Sequence, residues 1–161
     1  MELETLARAV GHELKKQGLM LATAESCTGG WVAQMMTSVA GSSEWFDRGF
    51  VAYTNLAKRE MLDVKTTILS RYGAVSENTA RAMAEGALTH SHAQVALAIT
   101  GIAGPSGGTP EKPVGTVCFA WAAKKRDTLS RKQIFSGDRE TVRRQSVATV
   151  LQGLLEYLNT Q

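Results

Sequence analysis

The fold is decided by residues 19–39, which read LMLATAESCTGGWVAQMMTSV. The apolar segment 19–24 predicts a strand, the small residues 25–30 predict a turn, and the segment 31–39 predicts a helix. A strand that is followed by a tight turn and a helix is the building unit of α/β proteins. The stretch therefore predicts an α/β domain with chemically useful side chains at the junction between strand and helix.

The remaining segments extend this pattern in both directions. The run QVALAIT (94–100) is too apolar for a strand with one solvated face, so it predicts a central strand that is covered on both faces. Further strands are predicted at 49–54, 114–123 and 129–135, and further helices at 3–17, 56–62, 77–91 and 140–158. About five strands and five helices, with no internal repeat or linker, predict one domain over residues 1–161. Its expected architecture is a three-layer α/β/α sandwich with a mixed central sheet.

Composition and charge exclude several classes of protein. The chain has 161 residues, of which 43% are hydrophobic, so it supports one well-buried core and is not intrinsically disordered. The net charge of +3 is too small to indicate binding to nucleic acid. Two cysteines, Cys27 and Cys118, form no disulfide framework, and no ligand spacing indicates a metal.

The apolar runs are too short for membrane association. The longest, 114–123, falls well below the roughly 18 to 20 residues of a membrane-spanning helix. The N-terminal residues carry alternating charges, and we find no signal peptide in them. A cytoplasmic location is therefore expected.

Three loops rich in small residues follow predicted strands, where open α/β sheets build ligand sites. They are ESCTGG (25–30), FVAYTNLAK (50–58) with the preceding GSS (41–43), and TGIAGPSGG (100–108). The first places Ser26, or alternatively Cys27, before a helix N-terminus that favours an anion or oxyanion. A well-capped tight turn is an equally good interpretation, because the loop matches neither a P-loop nor a nucleophile elbow.

A serine nucleophile needs a base, and Lys58 is the best candidate. It lies in the first turn of a predicted helix, where the helix dipole and partial burial lower the pKa of an amine. Tyr53, on the preceding predicted strand, could orient this lysine or relay a proton, but the residues alone favour a half-buried strand tyrosine with no catalytic role. The three histidines, at positions 12, 90 and 92, lie outside the glycine-rich loops and are expected at the surface.

The third loop and the segment SGDR (136–139) predict a binding region. Backbone amides of 100–108 approach a ligand closely, and Thr100 adds a hydroxyl at the strand end. Arg139 lies beside a helix start, where its fork of donors suits a phosphate. Arg143 lies one turn further on the same face of this helix, and surface solvation is the alternative interpretation for Arg143 and Arg144.

Five ordered segments together resemble the CinA C-terminal domain family, along essentially the whole chain. They are ESCTGG, GSSEWFDRGFVAYTNLAK (41–58), GAVSE (73–77), TGIAGPSGGTPEKPVGTV (100–117) and FSGDRETVRRQ (135–145). The chain is similar to the form of this domain that occurs without the N-terminal molybdopterin-binding-like domain of longer family members.

The resemblance implies hydrolysis of the carboxamide of nicotinamide mononucleotide to nicotinic acid mononucleotide and ammonia, a step of pyridine nucleotide salvage. It implies Ser26 as nucleophile and Lys58 as base, with Ser43 and Tyr53 in support. It implies Thr100 and Arg139 as substrate ligands, with the arginine on the phosphate. Neither a metal nor an organic cofactor is then required. The expected site comprises catalytic Ser26, Lys58, Tyr53 and Ser43, and substrate-binding Thr28, Gly29, Gly30, Thr100, Gly101 and Arg139.

Other functions stay open at this point. The same fold accommodates a different amide substrate, or Cys27 as nucleophile, because a helix N-terminus activates a thiol. A non-catalytic nucleotide-binding or regulatory module would use the glycine-rich loops for binding alone. Assembly into a homo-oligomer is open as well, with Arg139 serving its own or a neighbouring site.

Overall fold

The computed structural model describes residues 2–160. These residues form one mixed five-stranded sheet that lies between two layers of helices. The strands are β1 (Leu21–Glu25), β2 (Phe46–Val51), β3 (Val95–Gly101), β4 (Thr116–Ala123) and β5 (Arg126–Ile134). The helices are α1 (Leu3–Gln17), α2 (Trp31–Thr37), α3 (Asn55–Leu62), α4 (Thr66–Tyr72), α5 (Glu77–Thr89) and α6 (Arg139–Asn159), with a 3₁₀ turn at Ser42–Glu44. The predicted three-layer α/β/α sandwich is confirmed.

The sheet has the spatial order β2-β1-β3-β4-β5. The strands β2, β1 and β3 run parallel, and β4 and β5 are antiparallel to their neighbours. The chain leaves β1 toward β2 on one side and later adds β3 on the other side. The carboxyl ends of β1 and β3 therefore form a topological switch point, the position at which open α/β sheets bind ligands.

The two faces of the sheet carry side chains of different size, because successive residues of a strand point to opposite sides. One face presents large residues such as Leu97, Phe119 and Trp121, which pack under α1, α2 and α6. The other face is built almost entirely from alanines of β1, β3 and β4, and it packs against α3, α4 and α5. Small side chains let α5 lie close to the sheet.

The boundaries of β2 and α3 differ from the predicted ones. β2 ends at Val51, so Tyr53 lies in the connection after the strand and is 58% exposed. The sequence offers Asn55 as the cap of α3, but the cap is Thr54, whose hydroxyl accepts the N–H of Ala57 at 3.0 Å, and Asn55 begins the helix. Both differences arise because β2 starts three residues earlier than the apolar pattern indicated.

Other features of the helices bear on the predictions too. The sequence predicts Ser76 as the cap of α5 and Asp138 or Gly137 as the cap of α6. Ser76 and Asp138 hold these positions, since each side chain accepts a backbone N–H of its helix. The helix α4 was not predicted, because its seven residues bury only Leu69. Among residues 2–160, no helix combines the length and apolar character needed to cross a bilayer.

Candidate active site

A cavity of about 330 Å³ opens at the carboxyl ends of β1 and β3. Its walls come from the segments after β1 and β2, the first turn of α3, the connection between α4 and α5, the end of β3 with the loop that follows, and the first residue of α6. The lining residues are Ser26, Cys27, Tyr53, Asn55, Lys58, Ala74, Val75, Thr100, Gly101, Ile102, Ala103, Gly104, Ser106, Gly107 and Arg139. The structure therefore places Ser26, Lys58, Tyr53, Thr100, Gly101 and Arg139 around one space.

Ser26 and Lys58 meet at the floor of this cavity, although 32 residues separate them in the chain. The Nζ atom of Lys58 lies 3.1 Å from the Oγ atom of Ser26. The same amine donates to the main-chain oxygen of Tyr53 at 3.1 Å, and the Ser26 hydroxyl lies 3.4 Å from that oxygen. The Tyr53 carbonyl therefore holds the amine beside the hydroxyl.

Lys58 is the largest buried polar side chain of the site, with 2% of its surface exposed. Burial disfavours the charged ammonium, and it lowers the pKa of Lys58 below the ordinary value of a lysine. None of the ion pairs found among residues 2–160 involves this lysine. A neutral amine at hydrogen-bonding distance from a hydroxyl is the arrangement that a general base requires.

Cys27 lines the cavity next to Ser26, but its thiol is poorly suited to act as the nucleophile. Burial raises the pKa of Cys27 to about 12. A thiol with such a pKa is almost fully protonated near neutral pH, whereas the thiolate is the reactive form. The geometry thus favours the hydroxyl over the thiol.

Tyr53 and Arg139 meet at the mouth of the cavity. The guanidinium of Arg139 donates to the Tyr53 hydroxyl at 3.1 Å and to the main-chain oxygen of Gly104 at 2.7 Å. Lys58 contacts the carbonyl of Tyr53, not its phenol. The Tyr53 side chain was the candidate for orienting Lys58, but in the structure the main-chain carbonyl of Tyr53 contacts the amine.

Thr100 and Gly101 form the wall at the end of β3. The Thr100 hydroxyl donates to the main-chain oxygen of Ala74 at 2.8 Å, so its hydrogen is engaged within the protein. A Cβ atom on Gly101 would lie 2.8 Å from Val117 Cγ2 and 3.1 Å from the Cys27 sulfur. Gly101 is therefore required by close packing behind Cys27.

The loop after β3 supplies unpaired donors to the cavity. Within residues 2–160, the backbone N–H groups of Ala103, Gly104, Ser106 and Gly107 form no hydrogen bond to an acceptor. All four residues line the cavity, next to Arg139. Backbone N–H groups beside a guanidinium are a common arrangement for holding a phosphate.

The residues Thr28, Gly29 and Gly30, predicted to bind substrate, do not line this cavity. The carboxylate of Glu25 accepts the N–H groups of Val32 and Ala33 at 2.9 and 3.0 Å, together with the Thr28 hydroxyl at 2.7 Å. This buried carboxylate occupies the start of α2, where an anion from the substrate was expected. The sequence did carry a sign of this role, because Glu25 is an acidic residue at the end of an otherwise apolar strand.

Ser43, expected to support catalysis, is exposed in the 3₁₀ turn before β2. Because β1 and β2 are parallel, this turn lies at the edge of the sheet opposite the cavity. The five residue steps of β2 alone span roughly 16 Å, at about 3.3 Å per residue. The structure does not bring Ser43 to the cavity of its own chain.

Two polar residues were missed, and the role of a third was left open. Asn55 lines the cavity from the first turn of α3, and Glu25 lies beneath the Ser26 turn. Arg143, for which surface solvation was the alternative to a place on the same face as Arg139, is half-buried and donates to the main-chain oxygens of Cys27 and Thr28. The three histidines are exposed, as predicted.

Comparisons with known proteins agree with this architecture. The family model of the CinA C-terminal domain matches residues 3–158. The nicotinamide-nucleotide amidohydrolase PncC of Escherichia coli K12 is 53% identical over 153 residues, which cover 95% of this chain and 93% of the relative. The protein of the same name from Pseudomonas putida is 47% identical over 154 residues, covering 96% of each chain.

Solved structures show the same fold. The competence/damage inducible protein CihA of Agrobacterium tumefaciens superposes with a TM-score of 0.94 at 48% identity, covering 98% of this chain and 96% of that one. A CinA superfamily protein of Escherichia coli gives a TM-score of 0.93 at 40% identity, covering 97% and 90%. Sequence and structure lead to the same assignment: the chain belongs to the CinA C-terminal domain family.

Proposed function

We propose that this chain hydrolyses the carboxamide of nicotinamide mononucleotide, giving nicotinic acid mononucleotide and ammonia, with Ser26 as nucleophile and Lys58 as base. The contact of 3.1 Å between Lys58 Nζ and Ser26 Oγ, inside a cavity that buries the amine, carries this proposal. Full-length relatives named nicotinamide-nucleotide amidohydrolase support the choice of substrate.

In the first half of the reaction, the Ser26 oxygen attacks the carboxamide carbon while Lys58 takes the hydroxyl proton. The C–N bond of the resulting tetrahedral intermediate then breaks, and ammonia leaves with the proton that Lys58 returns. In the second half, Lys58 takes a proton from water, whose oxygen attacks the acyl ester. Breakage of the ester bond releases the carboxylic acid, and the proton on Lys58 returns to the Ser26 oxygen.

A depressed pKa suits Lys58 to both halves of this reaction. The neutral amine accepts the hydroxyl proton, and the ammonium formed in this way is acidic enough to protonate the departing nitrogen. The pyridinium ring of the substrate carries a positive charge, and a like charge nearby further disfavours the ammonium form of Lys58. The Tyr53 carbonyl keeps the amine within reach of Ser26 throughout.

Charge that develops on the carboxamide oxygen needs hydrogen-bond donors. Within the described residues, the backbone N–H groups of Cys27 and Thr28 donate to no main-chain oxygen. Cys27 lines the cavity directly after Ser26, so we propose its N–H as an oxyanion donor. Loss of one such donor typically costs about 10² to 10³ in kcat.

The phosphate of the substrate requires a second set of donors. We assign it to Arg139 and the free N–H groups of residues 103–107, which lie together at the mouth of the cavity. An arginine presents two parallel donors to a phosphate, and this geometry adds both affinity and orientation. Phosphate would compete with Tyr53 and Gly104 for the guanidinium.

The test is to incubate the purified protein with nicotinamide mononucleotide, without added metal, and to identify the products. Nicotinic acid mononucleotide and ammonia are expected in equal amounts. The variant Ser26→Ala should form neither, whereas the matched variant Cys27→Ala, altered at the adjacent residue, should remain active. Wild-type protein that forms no product, or full activity of Ser26→Ala, would overturn the proposal.

A further inference from the structure

Glu25, the last residue of β1, is a buried carboxylate that the proposed reaction does not use. It is 1% exposed, and it accepts three hydrogen bonds, from the Thr28 hydroxyl and from the N–H groups of Val32 and Ala33. All three donors come after Ser26 in the chain. The carboxylate therefore ties the start of α2 back to the end of β1, across the turn that carries the nucleophile.

Arg143 holds the same turn from α6, a distant part of the chain. Its guanidinium donates to the main-chain oxygen of Cys27 at 3.0 Å and to that of Thr28 at 3.2 Å. A Cβ atom on Gly29, whose φ is +59°, would lie 3.4 Å from this guanidinium. The glycine thus provides the turn with its left-handed conformation and leaves space for the arginine.

The turn itself begins at Ser26. The Ser26 N–H donates to the main-chain oxygen of Ile99 on β3, and the N–H of Gly29 donates back to the main-chain oxygen of Ser26. Sheet hydrogen bonds thus hold the entry to the turn, while Glu25 and Arg143 hold its remaining residues. Neither charged side chain is among the residues that line the cavity, so both act on the turn from behind it.

We propose that Glu25 and Arg143 are positioning residues that set the Ser26 hydroxyl against the Lys58 amine. This inference rests on the function proposed above and deepens it. The Ser26–Lys58 contact measures 3.1 Å, so a shift of about 1 Å in the turn removes the hydrogen bond. A misplacement of this size costs on the order of 10²-fold in rate.

The chain offers a matched control for Arg143. Arg144 is its neighbour on α6, carries the same charge, and lies at a similar distance from the Trp31 ring, 5.2 Å against 5.6 Å. Arg144 makes no hydrogen bond to the Ser26 turn in the described chain. The variants Arg143→Ala and Arg144→Ala therefore differ mainly in the two contacts to the turn.

The experiment measures kcat and KM of both variants with nicotinamide mononucleotide, at a temperature where circular dichroism shows each to be folded. Arg143→Ala is expected to lose about 10- to 100-fold in kcat, with KM within about threefold of wild type. Guanidinium ion at low millimolar concentration should restore part of this rate in Arg143→Ala. Arg144→Ala should match wild type within about twofold and should not respond to guanidinium.

The Glu25 side of the turn is tested with Thr28→Val, which removes one donor to the carboxylate and keeps the shape of the side chain. A fall in kcat at constant KM is expected, because Thr28 does not line the cavity. A rise in KM alone would indicate direct contact with substrate, and an unchanged kcat would show that the carboxylate does not position the turn. Either result overturns the role of Glu25.

Two outcomes overturn the role of Arg143 and leave the proposed function standing. They are equal kcat values for Arg143→Ala and Arg144→Ala, and a rate loss in Arg143→Ala that guanidinium does not restore at all. Wild-type protein that releases no ammonia removes the proposed function itself. The two failures are therefore distinguishable.

Discussion

Replacement of Lys58 by methionine tests two effects of the buried amine separately: its effect on the free energy of unfolding and its effect on kcat. The methionine side chain has a similar length, carries no charge, and would occupy the same space beside Ser26. In the wild type, burial lowers the pKa of Lys58, so the folded chain binds fewer protons than the unfolded chain. The free energy of unfolding of the wild type must then rise with pH in the window between the folded pKa and the unfolded value of about 10.4.

The variant Lys58→Met lacks this dependence, so the difference in stability between the two proteins reports the cost directly. The cost to the wild type is complete below the folded pKa, shrinks as the pH rises through that pKa, and vanishes above about 10.4. Each unit of depression corresponds to about 1.4 kcal/mol. Removal of this cost stabilises Lys58→Met relative to the wild type. Loss of the hydrogen bond to the Tyr53 carbonyl reduces that stabilisation by about 1 kcal/mol at every pH.

The activity of Lys58→Met should fall, whereas its stability below the folded pKa of Lys58 should rise. Without the base, kcat is expected to fall by about 10² to 10⁴-fold, although the variant is folded. Urea unfolding at pH 6 to 10.5 and ammonia release at pH 8 measure the two effects. Lys65→Met, at an exposed lysine close in sequence, controls for the change in net charge. A stability difference that does not vary with pH, or a variant of normal activity, would refute the reasoning.

Three further predictions concern the same cavity. The value of kcat/KM should rise with pH through the pKa of Lys58 and level off below pH 10.4, because the lowered pKa lets the amine lose its proton at a lower pH. A pH profile of kcat/KM that rises only around the ordinary lysine pKa would contradict this. Tyr53→Phe removes the hydrogen bond to Arg139 but keeps the carbonyl beside Lys58, so kcat should stay within about threefold of wild type while KM changes; steady-state kinetics decide. Gly101→Ala places a methyl group 2.8 Å from Val117 Cγ2 and should destabilise the fold by about 1–3 kcal/mol in urea unfolding, and a neutral effect would show that the wall yields.

Much of the fold was readable from local patterns. The apolar run at 94–100 predicted a doubly covered strand, and β3 is the central strand of the sheet. Residue type predicted Ser76 as the cap of α5 and narrowed the cap of α6 to Asp138 or Gly137, because a side-chain oxygen next to a helix start satisfies an otherwise unpaired N–H. Signals of this kind act over three or four residues, and for this reason they are visible in a single sequence.

The partners of individual polar groups were not readable in the same way. Thr28 was expected to bind an anionic ligand, but its hydroxyl donates to Glu25. Arg143 had no predicted partner within the chain, but its guanidinium donates to the main chain of the Ser26 turn. Tyr53 was expected on a strand, but it lies beyond it and contributes its carbonyl to Lys58. In each case the residue type indicated that the group forms polar contacts. The hydrogen-bond partner came from another part of the fold, which residue type does not specify.

The amino-acid sequence by itself determined the α/β class, the five strands, five of the six α-helices, and the three loops in which chemistry was expected. Only the tertiary structure decided that Ser26 and Lys58 touch, and that Ser43 stays at the opposite edge of the sheet. The physical reason is strand register. Parallel pairing aligns Glu25 with Val51, which brings the residues after β1 level with those after β2, whereas a slip of one residue would turn every side chain to the other face.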